Sequence, residues 1–216
     1  SKNTLHEILS GKIHINQAIY PVYENLKVLP CGTSLKGFLD ADVGILKKIL
    51  EEVKNEYEFV LVDTSAGITK AVITAIITSD ESILIVNPNL ISLNADTMLQ
   101  SIAEQSNAKI SGVILNRFNK TAGMTPDEVM DTLRVPLFGI IPEDKNVEKA
   151  INNNEIMVKD YRKSKASKAV VEIAENLSQT VLFDDRSPKR TQKKQKGKGR
   201  FGSAGGGKKK KKRGLF

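Results

Sequence analysis

Tryptophan is absent from this sequence, cysteine occurs once, and aromatic residues make up only 5% of it. A single thiol, Cys31, leaves no intrachain disulfide and no CxxC metal or cluster motif within these residues, which suits a reducing compartment. Cys31 itself is expected to be a small buried apolar residue. Histidine is nearly as scarce: His6 and His14 stand eight apart with no Cys or carboxylate pattern around them, and read as surface residues. No run of about 18 apolar residues is present. Acidic residues are missing from one whole end. From Arg186 to Phe216 there are 14 Lys/Arg and no Asp/Glu, which leaves 19 basic against all 25 acidic residues in the first 185, a net of −6. The formal +8 of the whole is therefore a property of the tail, and the charge break divides the chain into a domain over 1–183 and a polybasic tail over 184–216.

What is present is organised around Tyr57-Glu58-Phe59-Val60-Leu61-Val62-Asp63-Thr64-Ser65-Ala66-Gly67. Phe59 to Val62 reads as a buried parallel strand with Asp63 at its carboxyl end, where open α/β sheets place their ligands. A carboxylate there can hold Mg²⁺ directly or through a water, and a glycine after it lets the backbone approach a γ-phosphate. An Asp ending a strand is equally a helix N-cap, so other segments have to decide.

Before this stretch, Ser1 to Ser10 reads as a short helix capped by Thr4, with Glu7 completing a capping box. Leu26 to Pro30 reads as a strand, Cys31 to Gly37 as a small-residue loop, and Asp42 to Asn55 as a helix with Val43, Leu46, Ile49, Leu50 and Val53 on one face. After it the pattern alternates. Helices are expected over Ile68 to Thr78, Ser92 to Gln105, Thr125 to Leu133, Lys145 to Asn152 and Ser164 to Leu182, the last with Ala166, Val170, Ile173, Ala174 and Leu177 inward. Strands are expected over Ser82 to Val86, Ile110 to Leu115 and Leu137 to Ile141. Such alternation, with strands apolar on both faces, means an α/β fold with a doubly wound, mostly parallel sheet. From Asp184 onward the periodicity stops and Lys, Arg, Gly, Gln and Ser dominate, a composition expected to be disordered.

Two phosphate-loop spellings fall in that tail: Gly197 to Gly202 reads GxGxxG, and Gly202 to Lys209 reads GxxxxGKK. A phosphate loop needs a strand before it and a helix after it to aim backbone N–H groups at phosphate, and neither spelling has them. Both are low-complexity coincidences. The ends of the last strands offer more. Asn116 stands just past the strand ending at Leu115, and its carboxamide offers a donor and an acceptor that match the edge of adenine. Pro142-Glu143-Asp144 opens a loop past the next strand, where a proline-fixed backbone can face the same ring.

Taken in order, LHEILSGK, KVLPCGTSL, YEFVLVDTSAGI, LIVNPNLISLNAD, GVILNRF and VPLFGIIPEDKNVEKA resemble the MinD branch of the MinD/ParA deviant-Walker ATPases, over roughly Asn3 to Gln179. The resemblance implies a P-loop NTPase of the SIMIBI type with ATP and Mg²⁺ as cofactors. It gives Asp63 and Gly67 the switch II roles, with Asp63 at the magnesium, and puts Asn116, Arg117, Pro142, Glu143 and Asp144 on the adenine side. Three departures stand out. Ser65 occupies the position where the family has proline, Asn89 stands where it often has Glu, and the sequence begins where the family has already completed its first βαβ unit with the deviant Walker A loop. The expectation is a fragment without its phosphate loop, inactive as an ATP hydrolase by itself; a short relative that has lost catalysis and serves as a scaffold is the alternative.

The same resemblance implies an ATP-dependent homodimer, cytoplasmic and peripherally attached to the inner face of the membrane, that positions cell-division machinery with an activating or cargo protein. The tail fits that picture. Lys208, Lys209, Lys210, Lys211, Lys212 and Arg213 form a basic run attractive to anionic lipid, with Leu215 and Phe216 as apolar groups beyond it. Nucleic acid is the alternative target, as in ParA-like DNA-partitioning relatives, because the same charges would release counterions from DNA.

Overall fold

The computed structural model describes residues 3–32, 42–121 and 123–183; the tail and the larger part of the loop from Cys31 to Gly37 lie outside the described residues. The chain begins with helix α1 (Leu5–Leu9), a 3-10 turn (Ile15–Gln17) and the antiparallel hairpin β1 (Tyr20–Tyr23) and β2 (Leu26–Val28). A second 3-10 turn (Val43–Ile45) opens helix α2 (Leu46–Val53). Then follow α3 (Lys70–Thr78), β3 (Ser82–Val86), α4 (Leu90–Gln105), β4 (Ile110–Phe118), α5 (Pro126–Leu133), β5 (Leu137–Pro142), α6 (Lys145–Asn153), α7 (Met157–Asp160) and α8 (Lys165–Phe183).

Strands β3, β4 and β5 form one parallel sheet in that order, so their carboxyl ends share an edge. Apolar residues from Leu84, Val86, Val113 and Leu115 meet Leu93 of α4 and Val129 and Leu133 of α5 in the main core. The opposite face is covered at β5 by α8. Gly139 neighbours the core-facing Ile140 and therefore looks to the other side, where the Ile173 side chain fills the space a Cβ would need. Helices on both faces of a parallel sheet are the doubly wound arrangement. A separate cluster of Ile8, Leu9, Ile15, Ala18, Ile49 and Val53 joins α1, the first turn and α2.

Local chemistry sets most boundaries. Thr125 accepts the Glu128 N–H at 3.3 Å while the Glu128 carboxylate accepts the Thr125 N–H at 2.7 Å, and Pro126 begins α5. Asn89 is the N-cap of α4 and accepts the Ser92 N–H at 2.9 Å. Gly112 is a packing requirement: a Cβ there would stand 2.8 Å from the Pro136 carbonyl oxygen and 2.7 Å from the Phe138 ring. Gly112→Ala is accordingly expected to lower unfolding free energy by about 1–3 kcal/mol, the cost of overpacking where backbone cannot yield, read as an earlier urea midpoint.

The structure corrects several expectations. Residues 59–62 form no strand. They make no backbone hydrogen bond to any described residue, and Leu61 is 90% exposed. An apolar run becomes a buried parallel strand only when neighbours take its N–H and C=O groups on both sides, and among the described residues none does. Among the described residues β3 is likewise paired on one side only, with Ile85 55% exposed. At the first helix Thr4 caps no backbone group; its hydroxyl donates to the Glu7 carboxylate, so the capping box does not form. His6 is buried, 7% exposed, whereas Cys31 is exposed; the two meet with Nε2 3.4 Å from Sγ. His6 was expected at the surface, but α1 packs back on the segment after β2, with the Leu5 N–H donating to the Pro30 carbonyl at 2.8 Å. On α8, Ala166 and Ile173 are buried as expected but Val170 and Ala174 are exposed, because only part of that face meets the sheet. The strand expected over Leu26 to Pro30 stops at Val28, and β1 with its Pro21 was not expected.

Candidate nucleotide site

The edge shared by the carboxyl ends of β3, β4 and β5 carries most of the expected site residues. β4 continues past Leu115 through Asn116 and Arg117 to Phe118, so Asn116 lies inside the strand rather than beyond it. The register explains why these two residues are presented differently from their neighbours. Leu115 pairs with Ile140 and Phe118 with Pro142, which leaves Asn116 and Arg117 opposite one residue of β5. This is a β-bulge, and Arg117 adopts φ +54°, the left-handed conformation that bulges use. Bulges at strand ends re-aim side chains, and here the bulge falls on the two residues expected beside adenine.

Asn116 is half-buried and its carboxamide makes no hydrogen bond to another described residue. Arg117 reaches across to β5's end, with Nη2 3.6 Å from Oε1 of Glu143. The Glu143 N–H donates to the Phe118 carbonyl at 2.9 Å, and Asn119 Nδ2 donates to Glu143 Oε2 at 3.4 Å. Asn116, Arg117, Pro142, Glu143 and Asp144 are thus brought together at adjacent strand ends. Asn119 joins them through Glu143, and no motif in the sequence marked it.

Asp144 has a second task. One carboxylate oxygen accepts the Asn146 N–H at 2.9 Å at the start of α6; the other accepts the N–H groups of Lys165 at 3.0 Å and Ala166 at 3.3 Å at the start of α8. The Asn146 N–H foremost, with those of Ala166 and Lys165, holds its carboxyl below the ordinary Asp range. A group with a depressed folded pKa stabilises above its unfolded pKa and loses that contribution as pH falls through the folded value. Asp144→Ala is therefore expected to cost about 1 kcal/mol at neutral pH, the size of a lost N-cap. The gap between variant and parent in thermal melts should close below about pH 4.

Asp63 and Gly67 lie in an exposed segment leading to α3, whose N-cap is Thr69. The Asp63 carboxylate makes no hydrogen bond or ion pair to another described residue. Gly67 has φ +89°, a conformation open to glycine, and a Cβ there would meet nothing within 4 Å. At the β3 end, the Ser92 hydroxyl donates to Asp96 Oδ2 at 3.2 Å and accepts the Asn87 N–H at 3.3 Å. Burial pushes the Asp96 carboxyl above the ordinary Asp range. This network fixes the turn between β3 and α4 beside the same edge.

The chemistry of these residues suits one side of a nucleotide. A free carboxamide, a guanidinium and a proline at adjacent strand ends are groups that suit a planar base, and Asp63 offers unengaged carboxylate oxygens of the kind Mg²⁺ takes. Among the described residues no glycine-rich turn joins a strand to a helix, so nothing here fits a triphosphate.

Comparison with known proteins agrees with this fold. Residues 1–112, more than half of the chain, match the AAA domain family. An ATP-binding protein of Methanocaldococcus jannaschii is 34% identical over 175 residues, 81% of this chain and 66% of that protein. The septum site-determining protein MinD of Pyrococcus horikoshii, solved with Mg-ADP, superposes with a TM-score of 0.78 at 28% identity, over 84% of this chain and 75% of that one. MinD in the MinC:MinD cell division complex of Aquifex aeolicus superposes with a TM-score of 0.72 at 26% identity, over 82% and 73%. The chain thus spans about two thirds to three quarters of these relatives. With parallel strands flanked by helices and these matches, the chain belongs to the MinD/ParA family of ATPases.

Proposed function

We propose that the bulged end of β4 and the turn after β5 hold the adenine of ATP in a MinD-like ATPase that pairs with a second copy of itself and positions cell-division machinery. The observation that carries the reading is the half-buried Asn116, whose carboxamide has donor and acceptor unengaged at a ligand-binding sheet edge. Arg117 and Pro142 flank it, and Asp63 is the residue suited to the magnesium that accompanies the phosphates. When bound, ATP supplies the phosphoanhydride that such an enzyme hydrolyses; these residues bind and orient its base. The relative solved with Mg-ADP and the relative in complex with MinC support a nucleotide and a protein partner respectively. The tail, with Lys208 to Arg213 and the apolar Leu215 and Phe216, attaches the protein to anionic membrane from the cytoplasmic side.

Equilibrium dialysis with ATP and GTP tests the base-side reading. The chain is expected to retain ATP weakly and to prefer it to GTP, and Asn116→Ala to abolish that preference, since an amide paired to a base edge supplies about 1–3 kcal/mol of discrimination. Equal retention of both nucleotides by parent and variant would contradict it.

A further inference from the structure

Asn119 lies beyond the residues given a role so far, and its surroundings are specific. Its side-chain oxygen accepts the Thr121 N–H at 3.1 Å and the Thr121 hydroxyl at 3.0 Å, which closes a turn directly after β4. Its side-chain nitrogen is thereby left facing outward and donates to Glu143 Oε2 at 3.4 Å, while Glu143 Oε1 faces Arg117 Nη2. Thr121, Asn119, Glu143 and Arg117 form one chain of contacts across the ends of β4 and β5. The backbone adds a fixed link within it, because the Glu143 N–H donates to the Phe118 carbonyl. Arg117 is a non-glycine residue in left-handed backbone, and its guanidinium is long, exposed and otherwise free to rotate.

We infer that Asn119 and Glu143 are positioning residues that brace the Arg117 guanidinium at the nucleotide edge, so that it meets a purine base already oriented. The inference rests on the base-side reading above. Its physical content is pre-organisation: an arginine held before binding loses less rotamer freedom on binding. Glu143 acts in this scheme through Arg117, and Asn119 acts through Glu143. The amide is suited to its place because it must accept from Thr121 with one atom and donate to a carboxylate with the other.

Two substitutions separate these tasks. Asn119→Asp keeps the acceptor that closes the turn with Thr121 but replaces the donor facing Glu143 with a repelling carboxylate. Adding Glu143→Gln restores a donor–acceptor pair in the opposite sense, at the parent's net charge. Binding of adenosine monophosphate is measured by ligand-observed NMR, with guanosine monophosphate alongside; monophosphates keep the triphosphate contacts out of the comparison. The Thr121 amide resonance reports the turn, and the Arg117 Nε resonance reports the brace without any ligand.

Asn119→Asp is expected to weaken adenosine monophosphate binding about three- to tenfold, the worth of one lost hydrogen bond. The Thr121 resonance and the melting temperature should stay in place, the Arg117 resonance should move, and the double variant should regain the larger part of the loss. Undiminished binding by Asn119→Asp, or a double variant that stays as weak as the single, would overturn the brace while leaving the base-side site standing. A parent chain that binds neither monophosphate, with its Arg117 resonance still responding to Asn119→Asp, would remove the base-side reading and this use of the brace with it.

Discussion

ATP turnover by these 216 residues alone is expected to be undetectable above the uncatalysed rate, and Asp63→Ala should change nothing. Phosphoryl transfer is accelerated by positioning and electrostatic stabilisation of the γ-phosphate, through a loop of backbone N–H groups, a lysine and Mg²⁺. On the proposed reading the described residues supply the base side and one carboxylate, and among them no glycine-rich turn joins a strand to a helix. Asp63 would hold a metal only together with the phosphates it accompanies, and it makes no hydrogen bond or ion pair to the other described site residues. A malachite green phosphate assay over hours, with and without Mg²⁺, checks this. Turnover that disappears on Asp63→Ala would show that another segment, such as one of the tail spellings at Gly197 to Lys209, cradles phosphate after all.

The second large effect concerns the tail. Sedimentation with vesicles containing anionic lipid should be nearly abolished when Lys208 to Arg213 are neutralised together, since six basic residues near an anionic surface contribute about 1 kcal/mol each. Charge alone would serve DNA equally well, so the apolar pair decides between targets. Leu215→Ala with Phe216→Ala leaves the charge unchanged and removes side chains whose burial at a bilayer is worth roughly 1.5–3 kcal/mol each. Vesicle binding should therefore fall at least tenfold further while duplex DNA binding stays the same. Vesicle binding indifferent to the apolar pair, beside tight salt-sensitive DNA binding, would transfer the tail to a nucleic-acid role.

The parallel sheet was legible where sequence signals were redundant. Ser82 to Val86 is apolar, bounded by a turn and preceded by a helix, and it forms β3 with those limits. Thr125-Pro126 with Glu128 carries its own helix start, and the helix begins there. Phe59 to Val62 carries an equally apolar run yet forms no strand, because strand formation depends on partners the run itself does not encode. The candidate site divides in the same way. Residue types at strand ends pointed to Asn116 and Pro142, but the bulge that turns Arg117 outward is a property of register between β4 and β5, visible only once both strands are paired. Asp144 was expected beside the base, and its caps on α6 and α8, 21 and 22 residues apart in sequence for the latter, could not be read from local pattern. His6 and Cys31 exchanged their expected surroundings because α1 packs against a segment some 25 residues away.

Photolabelling with 8-azido-ATP, followed by peptide mapping and competition with unmodified ATP, tests the central claim that adenine is held at the ends of β4 and β5. Competable label is predicted on peptides containing Asn116 to Asn119 or Pro142 to Val147. Competable label confined to the tail around Gly197 to Lys209, or label that unmodified ATP fails to displace, would contradict it.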